Sequence, residues 1–211
     1  MSPPPHPPQD PPAAPAPVDV AAAETAAAEH VAPTVLVLMG VSGSGKSTVA
    51  RELQRVLGWP FQEGDDLHPP ANVEKMRSGR SLDDRDRLPW LRAIAGWIDG
   101  QLAAHQPGII TCSNLKRAYR KITIGTRAGV RLVYLKGEEP VIHRRIVGRQ
   151  HRYMPPSLLK SQFETLEEPG QDEHPITVPV HGMIGETVLE LLTQLAASDG
   201  QATKREHGEG A

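Results

Sequence analysis

The sequence has a single cysteine, few aromatic side chains and no long hydrophobic run. Cys112 has no second cysteine with which to form an intrachain disulfide, which fits a reducing compartment. The longest apolar run, Val35–Met39, has the length of a strand, whereas a membrane helix needs roughly 20 apolar residues. The formal net charge is −2, so the chain also lacks the basic excess of a general nucleic-acid binder. We therefore expect a soluble cytoplasmic protein that contacts neither membranes nor nucleic acid.

The first 33 residues lack lysine and arginine, and they contain ten prolines and ten alanines. A segment with so few large apolar side chains buries too little surface to offset the entropy lost on ordering, so residues 1–33 are expected to be a disordered tail. Acidic residues without arginine also distinguish this tail from a transit peptide. Residues 199–211 are hydrophilic as well and are expected to form a flexible C-terminal tail. Residues 34–198 remain for one domain with a full hydrophobic core.

Short apolar runs alternate with amphipathic stretches inside this domain. The pattern predicts strands at 35–39, 59–62, 109–112, 132–135 and 176–180, and helices at 47–57, 88–105, 139–147, 157–166 and 184–195, with Pro89 in the first turn of its helix. Alternating strands and helices predict an α/β fold with a parallel sheet and right-handed crossovers. Pro179 would remove a ladder hydrogen bond, so we expect the last strand at an edge of the sheet.

Residues 40–47 read Gly-Val-Ser-Gly-Ser-Gly-Lys-Ser and match the P-loop pattern G-x-x-x-x-G-K-[ST]. The glycines allow successive backbone N–H groups to turn toward phosphate oxygens, and the helix that follows adds its positive dipole end. Lys46 would supply charge at the β- and γ-phosphates, and the Ser47 hydroxyl would bind Mg²⁺. The predicted ATP contacts are Gly40, Val41, Ser42, Gly43, Ser44, Gly45, Lys46, Ser47 and Thr48.

Other motifs restrict the kind of P-loop protein. A regulatory GTPase needs Asp-x-x-Gly and Asn/Thr-Lys-x-Asp, and neither occurs in the sequence. The strand at 109–112 is followed by Ser113 and does not end in the acidic residue of a Walker-B ATPase. Asp65 follows the second predicted strand, where the carboxyl ends of parallel strands face the ligand crevice. It is the leading candidate for a carboxylate that serves both the metal and the acceptor hydroxyl, as in a small-molecule kinase.

Four arginines fall within nine residues, at 144–152, after the strand at 132–135 and along and beyond the helix that follows it: Arg144, Arg145, Arg149 and Arg152. Kinases use mobile cations to close over the γ-phosphate and exclude water, so we expect a mobile lid at about 144–157. A solvated basic helix face would give the same pattern. A nucleic-acid patch would need interleaved aromatic side chains, which this segment lacks.

Several blocks outside the P-loop point to one family. They include Gly-Asp-x-Leu-His-Pro at 64–69, Leu-x-Asp-x-Asp-Arg-x-Pro-Trp-Leu at 82–91 and Ser-Gln-Phe-Glu-Thr-Leu-Glu at 161–167, with further matches at 72–79, 112–120 and 134–137. On these blocks, from about residue 35 to residue 170, the sequence resembles the gluconokinase family, small P-loop carbohydrate kinases that phosphorylate D-gluconate at O6. The resemblance implies a nucleoside-monophosphate-kinase-like fold with a mobile lid, ATP and Mg²⁺ as cofactors, D-gluconate as substrate and a homodimer. The product, 6-phospho-D-gluconate, would feed the pentose phosphate pathway.

The resemblance also implies site residues. The expected catalytic residues are Lys46, Asp65, Arg145 and Arg149, the expected metal ligands are Ser47 and Asp65, and the expected gluconate contacts are Asp65, His68, Lys75, Asp84, Arg87 and Arg120. Asp65 would orient or deprotonate the O6 hydroxyl, and one or two of the three cations would pair with the carboxylate. Lys75 could instead be a solvated helix lysine, Asp84 could instead cap the helix at Pro89, and Asp86 is expected to be a cap more readily than a ligand. Trp90 and Trp97 are expected in the core, and Asn114 departs from the alanine usual in the family.

Two rival functions follow from the same residues. One is a kinase of similar shape that acts on another small hydroxy acid, such as shikimate; the Asp-x-Asp-Arg-x-Pro-Trp block weighs against it. The other is a non-catalytic nucleotide-binding module that uses its proline-rich tail as a partner ligand. The presence of Lys46, Ser47 and Asp65 together favours retained chemistry over this second alternative.

Overall fold

The structure, a computed structural model, describes residues 34–147, 157–180 and 182–206. Within these ranges five strands form one parallel sheet: β1 (Val35–Met39), β2 (Phe61–Gln62), β3 (Gly108–Thr111), β4 (Val130–Lys136) and β5 (Ile176–Pro179). The helices are α1 (Lys46–Leu57), α2 (Pro70–Arg77), α3 (Asp84–Ala103), α4 (Arg117–Thr123), α5 (Glu139–Val147), α6 (Ser157–Thr165) and α7 (Ile184–Glu206). The predicted α/β class with a parallel sheet is confirmed. The tail predicted at 1–33 lies outside the described residues.

The strand order β2-β3-β1-β4-β5 puts β1 in the centre of the sheet. All five β1 residues are fully buried, because hydrophobic clusters cover both faces of the strand. Leu36 and Leu38 belong to one cluster, and Val35 and Val37 to the other. This central, doubly covered strand explains the uninterrupted apolar run, and it anchors the P-loop that follows it.

Strand β5 lies at one edge of the sheet and pairs only with β4 among the described strands. Pro179 is its last residue and stands opposite Lys136. The edge position predicted from the missing N–H is confirmed. Across the described part of the chain, no helix has both the length and the apolar character that crossing a membrane requires.

Helix α3 begins earlier than the pattern predicted. Its N-cap is Asp83, whose carboxylate accepts hydrogen bonds from the N–H groups of Arg85 and Asp86. The Asp86 carboxylate in turn accepts from the N–H of Asp83 at 2.8 Å, which completes a capping box. Pro89 therefore lies inside the helix and not in its first turn. The apolar periodicity begins only at Leu88, so it did not reveal the polar first turn.

The remaining differences concern helices with weak patterns. Helices α2 and α4 were not predicted, since α2 is eight residues long, α4 is seven, and α2 buries only Asn72. Helix α7 was expected to end at Leu195 but continues to Glu206, into the segment predicted as a tail. The other helices begin and end within one residue of their predicted bounds.

Candidate active site

The P-loop joins β1 to α1 and owes its shape to three glycines in the left-handed half of conformational space. The φ angles are 143° at Gly40, 82° at Gly43 and 96° at Gly45. A β-carbon on Gly40 would lie 2.8 Å from the carbonyl oxygen of Leu135, and one on Gly43 would lie 2.7 Å from Cγ1 of Ile146. Both backbone angles and space therefore require glycine in this loop.

The Lys46 ammonium group folds back over the first half of the P-loop. Its Nζ donates to the carbonyl oxygens of Gly40 at 2.9 Å and Val41 at 3.0 Å. Burial lowers the pKa of Lys46, and the carboxylates of Asp65 and Glu63 oppose that shift. The two residues predicted to lead the chemistry, Lys46 and Asp65, are thus close enough to affect each other's charge.

Asp65 lies in a short 3₁₀ turn (Gly64–Leu67) directly after β2, and its backbone neighbours are tightly held. The N–H of Gly64 donates to Thr111 Oγ1 at 3.0 Å, and the indole N–H of Trp90 donates to the Gly64 carbonyl at 2.7 Å. The Thr111 hydroxyl donates to the Glu63 carboxylate. Strand β3 and helix α3 therefore jointly fix the backbone that carries Asp65.

We expect Gly64→Ala to destabilise the protein by more than about 3 kcal/mol, because overpacking against backbone has no flexible side chain to relieve it. A β-carbon at this position would lie 1.8 Å from the carbonyl oxygen of Thr111. Urea denaturation of the wild type and the variant measures the difference. Gly96→Ala is the matched control, since Gly96 in α3 has open space around it and gains helix propensity of up to about 1 kcal/mol. Equal losses in both variants would argue against the close contact at Gly64.

The Asp65 carboxyl group is adapted to hold a proton more readily than an ordinary aspartate. Partial desolvation raises the pKa of Asp65, although the residue is open to solvent on one side, and the nearby carboxylates of Glu63 and Asp66 raise the pKa further. The ammonium group of Lys46 opposes these effects. A carboxylate with a raised pKa is a better proton acceptor, so the environment suits the general-base role expected from the sequence.

His68 is held as a neutral ring against the core. Its imidazole stacks on Trp90 with ring centroids 4.2 Å apart, and its Nδ1 lies 3.4 Å from the side-chain amide of Asn72. Burial and the nearby Arg87 lower the pKa of His68 to about 4. At neutral pH the ring can therefore exchange hydrogen bonds with a hydroxyl group but does not act as a cation. Trp90 is only 3% exposed and Trp97 packs against the same cluster, so their predicted core positions are confirmed.

The low pKa of His68 predicts a specific loss of stability in acid. An unfolded histidine binds a proton near pH 6.5, whereas folded His68 resists protonation down to about pH 4, so the free energy of unfolding falls as pH drops through this window. We expect His68→Asn to lose about 1–2 kcal/mol less of its free energy of unfolding between pH 7 and pH 4.5 than the wild type does. This figure is reduced because His68 is partly exposed. Urea titrations at pH 7 and pH 4.5 test this. His105→Asn, at an exposed residue with a left-handed backbone that asparagine tolerates, is the matched control for the loss of one histidine.

Two of the three cations expected to pair with the substrate carboxylate are hydrogen-bonded to a protein carboxylate. Lys75 Nζ lies 2.5 Å from the Asp86 carboxylate and links α2 to α3. Arg120 is 2% exposed, and it makes two hydrogen bonds to the Glu173 carboxylate and one each to the carbonyl oxygens of Asn114 and Glu167. Four of the five guanidinium donors of Arg120 are thereby occupied. The structure places Arg120 in the interior as a structural residue, and not in the cleft as expected.

Arg87 is the third cation, and it belongs to a group that we call the α3–α4 cluster: Asp84, Arg87, Lys116 and Tyr119. Arg87 Nη1 donates to the Tyr119 hydroxyl at 3.3 Å and lies 3.6 Å from Asp84 Oδ1. Asp84 accepts from Lys116 Nζ at 2.9 Å and from the Tyr119 hydroxyl at 2.5 Å, and these bonds lower the pKa of Asp84. Asp84 thus organises the cluster and is not the helix cap. Among the described residues, the other guanidinium donors of Arg87 have no hydrogen-bond acceptor.

Of the four predicted lid arginines, Arg144 and Arg145 lie within the described residues. Arg145 contacts the residue before Met183. Its Nη2 donates to the carbonyl oxygen of Gly182 at 3.2 Å, next to the start of α7. Arg144 is exposed on α5, so the first residues of the predicted lid belong to the end of that helix. Arg149, the other expected catalytic arginine, and the rest of the lid up to residue 156 lie outside the described residues.

Sequence reasoning did not select four residues that shape this cleft. Lys116 and Tyr119 are three residues apart at the start of α4, a spacing that brings side chains together on one helix face. Glu63 and Thr111 end neighbouring strands β2 and β3, so topology explains their meeting. None of the four could be singled out before α4 and the strand order were known.

Asn114 is the departure from the family pattern that the structure explains. Its φ is 45°, in the left-handed region that asparagine tolerates well, and its side chain is fully buried. The Oδ1 atom accepts a hydrogen bond from the Thr123 hydroxyl at 3.2 Å. Asparagine therefore serves the turn between β3 and α4.

Comparisons with known proteins agree with this geometry. A family model described as an AAA domain matches residues 35–169. The gluconokinase of Gluconobacter oxydans is 45% identical over 167 residues, which cover 79% of this chain and 94% of that protein. The thermoresistant gluconokinase of Escherichia coli is 41% identical, with 73% of this chain and 91% of that protein covered. A crystal structure of a gluconokinase from Sinorhizobium meliloti superposes with a TM-score of 0.74 at 41% identity, covering 82% of this chain and 97% of that one.

Proposed function

This chain belongs to the gluconokinase family, and we propose that it transfers the terminal phosphoryl group of ATP to the O6 hydroxyl of D-gluconate. The observation that carries the proposal is that Lys46 and Asp65 follow strands β1 and β2 at the same edge of one parallel sheet, where the charge of each affects the pKa of the other. A phosphate donor and a hydroxyl acceptor meet at such a point, because one group neutralises phosphate charge and the other accepts the hydroxyl proton. A non-catalytic nucleotide-binding module has no need for this second group.

The strand order supports a division of the cleft into two sides. The P-loop follows the central strand β1, whereas Asp65 follows β2 and the loop at 112–116 follows β3. ATP would occupy the P-loop, and gluconate would lie on the β2–β3 side, between the Asp65–His68 turn and the α3–α4 cluster. A site of this kind presents a base, a neutral imidazole and a cation to one small polyhydroxy acid.

Arg87 is the residue that we assign to the gluconate carboxylate. Lys75 and Arg120 are engaged by Asp86 and Glu173, whereas Arg87 offers guanidinium donors that no described residue accepts. The hydroxyl and the ring of Tyr119 hold the Arg87 guanidinium in one orientation. Its central carbon, Cζ, lies 5.9 Å from the centroid of the Tyr119 ring. Prior orientation lowers the entropy that carboxylate binding would cost.

We assign magnesium to the Ser47 hydroxyl and to Asp65, together with phosphate oxygens and water. The described residues contain no group of three or more histidine, cysteine or acidic side chains that could hold a metal. Magnesium in kinases commonly takes only one or two protein oxygen ligands and completes its shell with phosphate and water, so a two-residue set fits the ion. When bound, Mg²⁺ would neutralise charge on the phosphates.

The chain's own residues would then contribute mainly position and charge. Lys46 would meet the β- and γ-phosphate oxygens, and Asp65 would accept the O6 proton as the oxygen attacks phosphorus in line. Arg145 and Arg149 would approach from the lid and stabilise the charge that develops on the transferred group. His68 would fix a sugar hydroxyl as a neutral partner.

We expect Arg87→Ala to raise the KM for gluconate at least about tenfold, the effect of losing one charge-assisted hydrogen bond, with a smaller effect on the KM for ATP. Steady-state kinetics with each substrate varied in turn measures both constants. Lys75→Ala is the matched control, because its charge is engaged by Asp86 away from the acceptor. A larger rise in the gluconate KM for Lys75→Ala than for Arg87→Ala would reverse the assignment.

An acceptor panel tests the substrate proposal. ADP release is followed with gluconate, shikimate, glucose and water as acceptors at saturating Mg·ATP. Gluconate should give a kcat/KM at least about 100-fold above the others, since a site built to pair a carboxylate and hydroxyls rejects acceptors that leave those groups unpaired. A higher kcat/KM for shikimate would replace gluconokinase activity with the rival hydroxy-acid kinase activity.

Three further proposals rest on the family and on composition. We place the enzyme in the cytoplasm, in keeping with its single buried cysteine, and we place its product at the entry to the pentose phosphate pathway. We also propose that it is a homodimer, as the family resemblance implies. Light scattering of the full chain should give a mass of about twice 22.9 kDa.

A further inference from the structure

A side chain of helix α6 reaches the backbone of the P-loop. The N–H of Ser42 donates to Oε1 of Gln162 at 2.6 Å, across 120 residues of sequence. Backbone N–H groups of a P-loop are its phosphate-binding groups, so a side chain that engages one of them controls part of the binding surface. No role for Gln162 follows from the P-loop motif itself.

The contact lies at the end of the loop where the terminal phosphate belongs. Ser42 follows Gly40 and Val41, whose carbonyl oxygens accept the Lys46 ammonium group at 2.9 and 3.0 Å. The P-loop lysine serves the β- and γ-phosphates, so the loop residues nearest to it border the transferred group. Gln162 therefore meets the P-loop at its γ-phosphate end.

Just beyond the C-terminal end of α6, the chain is tied to the acceptor side of the cleft. The N–H of Glu167 donates to the carbonyl of Leu115 at 2.8 Å, and the Glu167 carboxylate accepts from the N–H of Arg117 at 2.6 Å. Arg117 is the first residue of α4, so Glu167 caps the helix that carries Tyr119. Arg120 adds a hydrogen bond to the Glu167 carbonyl at 2.8 Å.

Helix α6 and the residues that lead from it to Glu167 pack against the core. Leu159 is buried, and Phe163 and Leu166 pack against the same cluster as the strand β1 residues Leu36 and Leu38. Packed side chains fix the helix against the sheet. A displacement of Gln162 or of Glu167 is therefore transmitted along the segment and reaches the other residue. The segment 159–167 thus has the rigidity needed to relate its two ends.

We propose that helix α6 with residues 166–167 is a positioning strut, in which Gln162 at the P-loop and Glu167 at the 112–116 loop hold the nucleotide and acceptor sides of the cleft at a fixed separation. Gln162 is a positioning residue and not a catalytic one, since it acts through the backbone of Ser42. The inference rests on the proposed function only in taking the 112–116 loop as the acceptor side. In-line transfer depends on the relative placement of two substrates, and because the strut ends on a backbone N–H of the P-loop, a disturbance at either end of the strut also reaches the bound nucleotide.

The test uses the full chain and compares Gln162→Leu, Glu167→Ala and the double variant, with Glu164→Gln on the exposed face of α6 as the matched control. Titration with Mg·AMPPNP in the absence of acceptor measures nucleotide affinity. We expect Gln162→Leu to weaken binding about 3- to 10-fold, the effect of one lost hydrogen bond. Glu167→Ala should weaken nucleotide binding about 2- to 5-fold, although Glu167 contacts the acceptor side. The double variant should bind nucleotide no more weakly than the weaker-binding of the two single variants, because both substitutions disrupt the same strut.

Gln162→Glu separates a positioning role from a purely structural one and guards against misfolding of the leucine variant. Glutamate still accepts from the Ser42 N–H but adds a negative charge beside the terminal phosphate, so AMPPNP binding should weaken about tenfold or more while ADP binding stays near wild type. Any of three results would overturn the strut. The first is a double variant whose fold-loss in nucleotide affinity equals the product of the two single losses. The others are an unchanged affinity for Glu167→Ala and equal AMPPNP and ADP affinities for Gln162→Glu. Absent gluconate turnover in the wild type would instead refute the proposed function and leave these nucleotide measurements valid.

Discussion

Replacement of Asp65 by asparagine is expected to lower kcat for gluconate phosphorylation by about 10²- to 10⁴-fold, the range for loss of a positioned general base. Asparagine keeps the size of the side chain but cannot accept the O6 proton. The folded protein disfavours the charged form of Asp65, since its pKa is raised, so the neutral amide should not lower the melting temperature. Rapid-quench or coupled assays give kcat, and thermal unfolding gives Tm. A kcat within threefold of the wild type would remove Asp65 from the chemistry.

Asp66→Asn is the matched control for this experiment, because Asp66 is the adjacent exposed carboxylate in the same turn. Its charge raises the pKa of Asp65, so its removal should shift the acidic limb of the pH–kcat/KM profile to lower pH. A base loses activity as pH falls through its pKa, and that limb in the wild type should lie above the ordinary aspartate value of 3.8. At pH 8 the kcat of Asp66→Asn should equal that of the wild type.

The second large effect concerns Lys46. We expect Lys46→Met to reduce kcat/KM by about 10²- to 10³-fold, as measured for single groups that stabilise developing negative charge. The methionine side chain retains the packing length of lysine but carries no charge to the β- and γ-phosphates. Since burial lowers the pKa of Lys46, the ammonium group costs stability without nucleotide, and the variant should unfold at the same or a higher temperature.

Lys121→Met controls for the general loss of a positive charge, because Lys121 is exposed on α4. Its kcat/KM should stay within twofold of the wild type. Loss of activity in Lys46→Met together with a lower Tm would point to damage of the P-loop structure. A direct role of Lys46 in phosphoryl transfer requires lost activity with retained stability.

The sequence predicted the central architecture because the relevant signals are local. Val35–Met39 has no polar residue, as expected for a strand covered on both sides, and Gly45 and Gly58 flank α1 in left-handed conformations. The edge position of β5 followed from Pro179 alone, since a missing N–H has a direct structural meaning. These elements depend on periodicity and on backbone geometry, which a sequence displays.

The acceptor side of the cleft was harder to predict from the sequence, because its residues acquire their roles from partners that are distant in sequence. Lys75, Arg87 and Arg120 are equivalent as cations in the sequence, and only the positions of Asp86 and Glu173 distinguish them. Asp84 could not be separated from the true cap, Asp83, because five charged residues in succession, at 83–87, hide the helix start. The contact of Gln162 with Ser42 spans 120 residues and has no local signal.

The identity and amount of product test the account most directly. The full chain is incubated with Mg·ATP and D-gluconate, and ³¹P NMR follows the phosphorylated sugar acid while ADP is measured in the same sample. We predict one 6-phospho-D-gluconate for each ADP formed, and at least a hundredfold less product from Asp65→Asn in the same time. ADP without 6-phospho-D-gluconate, or phosphate on a different oxygen of gluconate, would contradict the placement of O6 between Asp65 and the P-loop.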